Sequence, residues 1–322
     1  MKKTLSLLIL IFSISLVAVF PTSAQAGPDP TLVTFIQTAF QNTLAVSSLA
    51  VTADGISANM AAGQTTGTPT LERMSSYQLS MSGGAWNMTG TQSFGPPASA
   101  ATPEANATPE AATEQALTGA NVTTLQEVIL DGKTYIRYTA IPQRMETQNP
   151  PPNWTDTSTL PSGTTFAGGI PTADQVLQLL ALPISTTSIT NLSEGTATTM
   201  DGTSMRVFNV TMDVQSVLNS SAESVLNIGL GGAPRRPAGT ATQAAVAPAA
   251  TPQARAQGMT PANTQLTLTV WIGSDNLVHQ ITSVVTRLNM GSNADMTTTL
   301  TTTTDFTDFN QPVTISAPTL SS

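Results

Sequence analysis

The chain has 322 residues and a formal net charge of -8, with 40% hydrophobic, 9% charged and 5% aromatic residues and no cysteine. That length allows one large domain or two small ones, and an acidic chain without clustered Lys and Arg is excluded as a nucleic-acid binder and does not bind an anionic membrane by charge alone. The missing cysteine excludes disulfides, thiolate zinc sites, a cysteine nucleophile and an acylated N-terminal cysteine.

Met1-Lys2-Lys3, the apolar run Leu5 to Phe20 and Ala24-Gln25-Ala26 have the layout of a secretory signal peptide over residues 1–26, so the remainder is expected outside the cytoplasm. Thr31 to Ala45 spaces Phe35, Ile36, Ala39, Phe40 and Leu44 as one face of an amphipathic helix, started by Asp29-Pro30. Leu49 to Ile56 reads as a strand ending near Asp54-Gly55. Tyr77 to Met81 and Ala85 to Phe94 form a hairpin around Ser82-Gly83-Gly84.

Gly95 to Ala120 and Gly231 to Asn263 are rich in Pro, Ala and Thr and have no apolar face to bury, so both read as disordered insertions in loops of a single domain over residues 27–322. Between them Val122 to Leu130 and Thr134 to Ala140 flank Asp131-Gly132-Lys133, a strong hairpin signal. Thr172 caps a short helix carrying Val176, Leu177, Leu179 and Leu180 that stops at Pro183. Ile184 to Leu192 and Met205 to Met212 read as strands around Asp201-Gly202, and Val214 to Leu230 reads as helical.

Near the C-terminus Leu266, Leu268, Val270 and Ile272 alternate with Gln265, Thr267, Thr269 and Trp271, the period of a half-buried strand. Gly273 to Asn276 turns it back into Leu277 to Leu288, and the threonine-rich run Ala294 to Asp308 supplies a third strand. The expected fold class is α+β: a strongly curved antiparallel sheet of about ten strands, a half-open barrel, with helices on its concave face.

Chemistry is sparse. The single histidine, His279, lies on a strand with no visible nucleophile and reads as a surface residue. Asp54, Asp131 and Asp201 each precede glycine and read as turn residues, as does Asp275. Asp295, Asp305 and Asp308 lack the glycine and glutamate of a calcium loop. The sequence therefore offers no catalytic residue, no metal site and no cofactor. The tryptophans Trp86, Trp154 and Trp271, with Met74, Met81, Met88, Met205 and Met212, read either as ordinary core or as the soft wall of an apolar cavity.

The order of elements resembles a known superfamily. It includes the N-terminal helix and strand, Asp131-Gly-Lys-Thr-Tyr-Ile136, Trp154, Thr172 to Leu180, Val270-Trp-Ile272 and the ending Phe306-Thr-Asp-Phe-Asn-Gln-Pro-Val-Thr-Ile-Ser-Ala-Pro318. These features are similar to the LolA-like superfamily, nearest its LppX/LprG-type branch of extracytoplasmic lipid-binding lipoproteins. That resemblance implies a monomer that binds a lipid or acyl chain without catalysis, with a membrane or envelope protein as a further partner. Phe35, Phe40, Leu44, Val176, Leu180, Leu268 and Val270 would line its cavity. The chain departs from the branch in lacking the acylated cysteine. The alternative expectation is a structural or protein-interaction module of the cell envelope with a packed, ligand-free core.

Overall fold

The computed structural model describes residues 27–61, 70–94, 122–140, 151–160, 176–227, 262–289 and 296–320. The expected signal segment, Thr172 and nearly all of both insertions lie outside these residues. So does Asp295.

Helix α1 spans Pro30–Leu44. Asp29 caps it, its carboxylate accepting from the Thr31 amide at 2.8 Å, and Pro30 occupies the first turn, where a missing N–H costs nothing. Val33, Ile36, Ala39, Phe40 and Thr43 form the buried face. Among the described residues twelve strands follow: β1 (Ser48–Ala61), β2 (Thr70–Ser82), β3 (Ala85–Phe94), β4 (Val122–Leu130), β5 (Lys133–Ala140), β6 (Thr155–Asp156), β7 (Ile189–Glu194), β8 (Thr198–Met200), β9 (Thr203–Met212), β10 (Thr264–Gly273), β11 (Val278–Asn289) and β12 (Met296–Thr307). The count exceeds the expected ten because β6 and β8 are too short to show an alternation.

All the pairings are antiparallel, in the order β6-β5-β4-β3-β2-β1-β12-β11-β10-β9-β7, with β8 also on β9. The sheet is thus two meanders, β1 to β6 and β7 to β12, joined along β1 and β12, whose partners run from Ala50 with Thr307 to Ala61 with Met296. It is not closed, as a half-open barrel requires. One face buries a continuous core in which α1 (Ile36, Phe40), the Val176–Ile184 segment and the inward residues of β1, β2 and β9 to β12 meet.

The two rims differ. Gly83-Gly84, Asp131-Gly132, Asp201-Gly202 and the Gly273 to Asn276 turn all lie at one rim. Asp131 (φ 52°) and Gly132 (φ 73°), like Asp201 (φ 49°) and Gly202 (φ 82°), take the paired positive φ of a two-residue hairpin whose twist matches its strands. The connections over 62–69, 95–121 and 290–295 join strand ends at the opposite rim.

Several expectations need correction. Strand β1 does not end near Asp54-Gly55 but runs through to Ala61, and Asp54 stands in ladder register with Thr303 and Ser76. Gly55 serves close approach rather than a turn: a Cβ there would lie 2.6 Å from Ser75 Oγ. The strand expected from Ile184 begins only at Ile189. Before it, Ser185 and Ser188 bond each other's backbone amides through their hydroxyls, Ser185 N to Ser188 Oγ at 2.9 Å and Ser188 N to Ser185 Oγ at 3.1 Å, competing with a ladder. The helix expected over Val214 to Leu230 is broken into α2 (Val214–Leu218), capped by Asp213, and a 3-10 turn, Glu223–Asn227.

One carboxylate on the outward face has an unusual setting. Burial pushes the Asp305 carboxyl above the ordinary aspartate range, opposed by a hydrogen bond from the Gln280 amide and reinforced by the negative charges of Asp54 and Asp201. A carboxyl raised on folding holds its proton longer in the folded chain than in the unfolded one, so stability falls as pH rises above the unfolded value near 3.8. Asp305→Asn keeps the acceptor for Gln280 and removes the charge. Its melting temperature should therefore exceed that of the parent at about pH 7 and converge with it at about pH 3; equal shifts at both pH values in circular-dichroism melts would contradict this.

Candidate functional site

At the tight-turn rim the end of α1 is fixed to the sheet by named hydrogen bonds. The Val278 amide donates to Thr43 Oγ1 at 2.8 Å, and Thr43 Oγ1 donates to the Ala39 carbonyl at 2.8 Å. Asn42 Nδ2 donates to the Asn276 carbonyl of the β10–β11 turn at 3.3 Å. The Ser47 amide donates to Asn310 Oδ1 at 2.9 Å, and the Gly83 amide to the Ser47 carbonyl at 3.0 Å, tying the α1–β1 link to the β2–β3 turn.

This stitching leaves an apolar cleft of about 290 Å³. One wall is the last turn of α1 (Thr43, Leu44), another the start of β1 with Met81 and Trp86, which are register partners across β2 and β3. The third is the turn from Leu177 to Ala181, held by i to i+3 bonds such as Leu180 N to the Leu177 carbonyl at 2.9 Å. Leu49, Leu177 and Leu180 are buried, whereas Leu44 is 42% exposed at the mouth. Among the described residues lining it, Thr43 and Gln178 are the polar ones and none is ionisable. Such a surface can bind apolar matter and offers nothing to a charged group.

Deeper in, between the sheet and Val176, Leu179 and Val225, is a cavity of about 10 Å³, the size of one water. Its sheet side carries Ala53 together with the polar Tyr77, Ser283, Thr302 and Thr304.

The residues expected to line one cavity are distributed over three places. Leu44 and Leu180 meet in the cleft, and Val176 roofs the small cavity. Phe40, Leu268 and Val270 are 2%, 0% and 0% exposed and belong to the packed core. Phe35 lies half-buried, its ring 5.6 Å from that of Phe208 with the Arg206 guanidinium 4.3 Å over it. Arg206 is held in turn by both Glu194 oxygens, at 2.8 and 3.0 Å, an exposed pair that contributes little. Of the residues read as a soft wall, Met81 and Trp86 reach the cleft. Trp154 lies under the Arg137 guanidinium at 4.9 Å instead, and Met88, Met205 and Met212 are core. Leu49, Leu177 and Ala181 had no signal of their own beyond apolarity.

His279 accepts no catalytic arrangement. Its Nε2 lies 3.1 and 3.0 Å from the two oxygens of Asp275, and its ring sits edge-on to Phe309 at 5.0 Å. A side chain on Gly273 would strike both partners, so this contact fixes the glycine. Among the described residues no three His, Asp or Glu side chains gather as a metal site, and no helix is long and apolar enough to cross a membrane.

The molecule is thus an open antiparallel sheet with an uncharged apolar cleft at its tight-turn rim. Solved structures to which the chain is similar include LprF from Mycobacterium bovis, 12% identical, with 91% of this chain and 99% of that one covered and a TM-score of 0.43. Lipoprotein LppX from Mycobacterium tuberculosis is 14% identical over 90% of this chain and 100% of its own, with a TM-score of 0.38. An outer-membrane lipoprotein-sorting domain from Vibrio parahaemolyticus is 8% identical over 88% and 93%, with a TM-score of 0.21. No family model and no curated protein matches the chain.

Proposed function

We propose that the chain is a non-enzymatic, extracytoplasmic binding protein for a lipid or other acyl-chain ligand, one folded domain released from a signal segment. The observation that supports this is the cleft: about 290 Å³, near the lower bound of small-molecule sites, walled by Leu44, Leu49, Met81, Trp86, Leu177 and Leu180, without an ionisable group. Each methylene buried there contributes about 0.8 kcal/mol, so an acyl chain binds usefully without any catalytic residue. The mobile thioether of Met81 suits a wall that adapts to chains of different length.

A specific observation favours the second reading, a packed interaction module: the enclosed cavity has room for only one water. Native mass spectrometry of gently isolated protein separates the two. A carrier gives adducts of lipid mass that organic extraction removes and that added fatty acid restores. The bare mass alone, unchanged by fatty acid, favours the packed module and contradicts lipid binding.

A further inference from the structure

Across the inner face of the sheet one register row carries polar side chains on five of six adjacent strands, with glycine on the sixth. Thr123 on β4 is paired with Gln92 on β3, Gln92 with Ser75 on β2, Ser75 with Gly55 on β1, Gly55 with Thr302 on β12, and Thr302 with Ser283 on β11. Exposures are 1% for Thr123, 0% for Gln92, 4% for Ser75 and Thr302, and 6% for Ser283. On the next strands the row turns apolar at Leu268 and Val210.

Burying such a row is costly unless its groups are paired. Yet both amide atoms of Gln92 and Thr302 Oγ1 have no hydrogen-bond partner. Gly55 lets the row draw together in the middle: a Cβ there would lie 2.6 Å from Ser75 Oγ, 3.3 Å from Thr302 Oγ1 and 3.5 Å from Tyr77 OH, and Ser75 Oγ lies 2.9 Å from Tyr77 OH in a hydrogen bond. Thr302 and Ser283 also border the one-water cavity. The row therefore holds two buried side chains with unused bonding capacity, Gln92 and Thr302, the second beside a void.

We propose that this row binds the uncharged polar group of an amphiphile, such as an ester, hydroxyl or amide, whose apolar chain occupies the cleft; the proposal rests on the lipid-binding reading. None of the six residues is ionisable, and the Gln92 amide both donates and accepts. The two places are connected by one segment. Leu177 and Leu180 face the cleft, while Val176 and Leu179 face the small cavity. From Leu49 in the cleft to Gly55 in the row is six residues of β1, about 20 Å at the rise of a strand.

One pyrene-labelled alkyl chain offered with a glycerol-ester, a carboxylate or a methyl end tests this by fluorescence titration. The wild type should prefer the glycerol ester by roughly tenfold over both others, the worth of one or two hydrogen bonds to a buried neutral group. Gln92→Leu/Thr302→Val should lose that preference, keep its affinity for the methyl-ended chain and melt no lower than the wild type, since it removes orphaned groups. Gly55→Ala, whose Cβ displaces Ser75 Oγ and crowds Thr302 Oγ1 without removing a polar group, should lose the preference as well. Equal binding of the three ends, or a preference that survives in both variants, overturns the polar row while leaving the lipid reading intact. Uptake of none of the three removes both.

Discussion

Phe208→Ala should destabilise the fold by about 3–5 kcal/mol, read from urea unfolding followed by circular dichroism. Phe208 is 0% exposed and stands on β9 in register with Val270 of β10, which is equally buried. Its ring meets Phe35 of α1 at 5.6 Å, tilted by 48°, and the Arg206 guanidinium lies 5.0 Å from its centre. Truncation removes the apolar area of a whole ring and leaves a void that the β-sheet on one side cannot close. It also dissolves an aromatic pair worth about 0.5–1.5 kcal/mol beyond its area. Phe35→Ala removes the same pair from the half-exposed side and should cost clearly less. If the two variants were equally destabilised, Phe208 would not be the anchor between α1 and the sheet.

Ala181→Phe should cut the uptake of a fluorescent fatty acid by more than roughly tenfold, because a ring that displaces only two methylenes of ligand already forfeits about 0.8 kcal/mol for each. Ala181 lies on the wall of the cleft and is itself exposed, in the turn closed by its amide on the Gln178 carbonyl at 3.1 Å. The substitution therefore fills the cleft from the outside without disturbing the core, and its melting temperature should stay close to that of the parent. Undiminished uptake by a folded variant would place the ligand elsewhere.

The alternation of Leu266, Leu268, Val270 and Ile272, the Asp-Gly pairs at 131 and 201 and the Asp29-Pro30 start of α1 carried most of the sheet and its leading helix, because each is a local rule of backbone and pleat. Asp54-Gly55 shows the limit of such rules. The same dipeptide that turns the chain at Asp131 runs straight through β1, and what decides is Ser75 and Thr302 on neighbouring strands, far away in sequence. For the same reason Leu44 and Leu180 were legible as apolar helix positions but their meeting with Leu49, Met81 and Trp86 was not. That depends on the Thr43–Val278 bond, which spans 235 residues. The polar row was hidden twice over, since serine, threonine and glutamine on a strand ordinarily face water and only the register places these inward.

Trp86 provides the most direct measurement of the central claim, because it lines the cleft while Trp271 lies on β10 away from it and Trp154 sits beneath Arg137. In a Trp154→Phe/Trp271→Phe background, titration with a doxyl-labelled stearate should quench Trp86 fluorescence saturably, and unlabelled oleate should restore it. Uptake of the labelled stearate without quenching, or no saturable quenching at all, would contradict an acyl-chain site between α1, the β2–β3 hairpin and the Leu177–Ala181 turn.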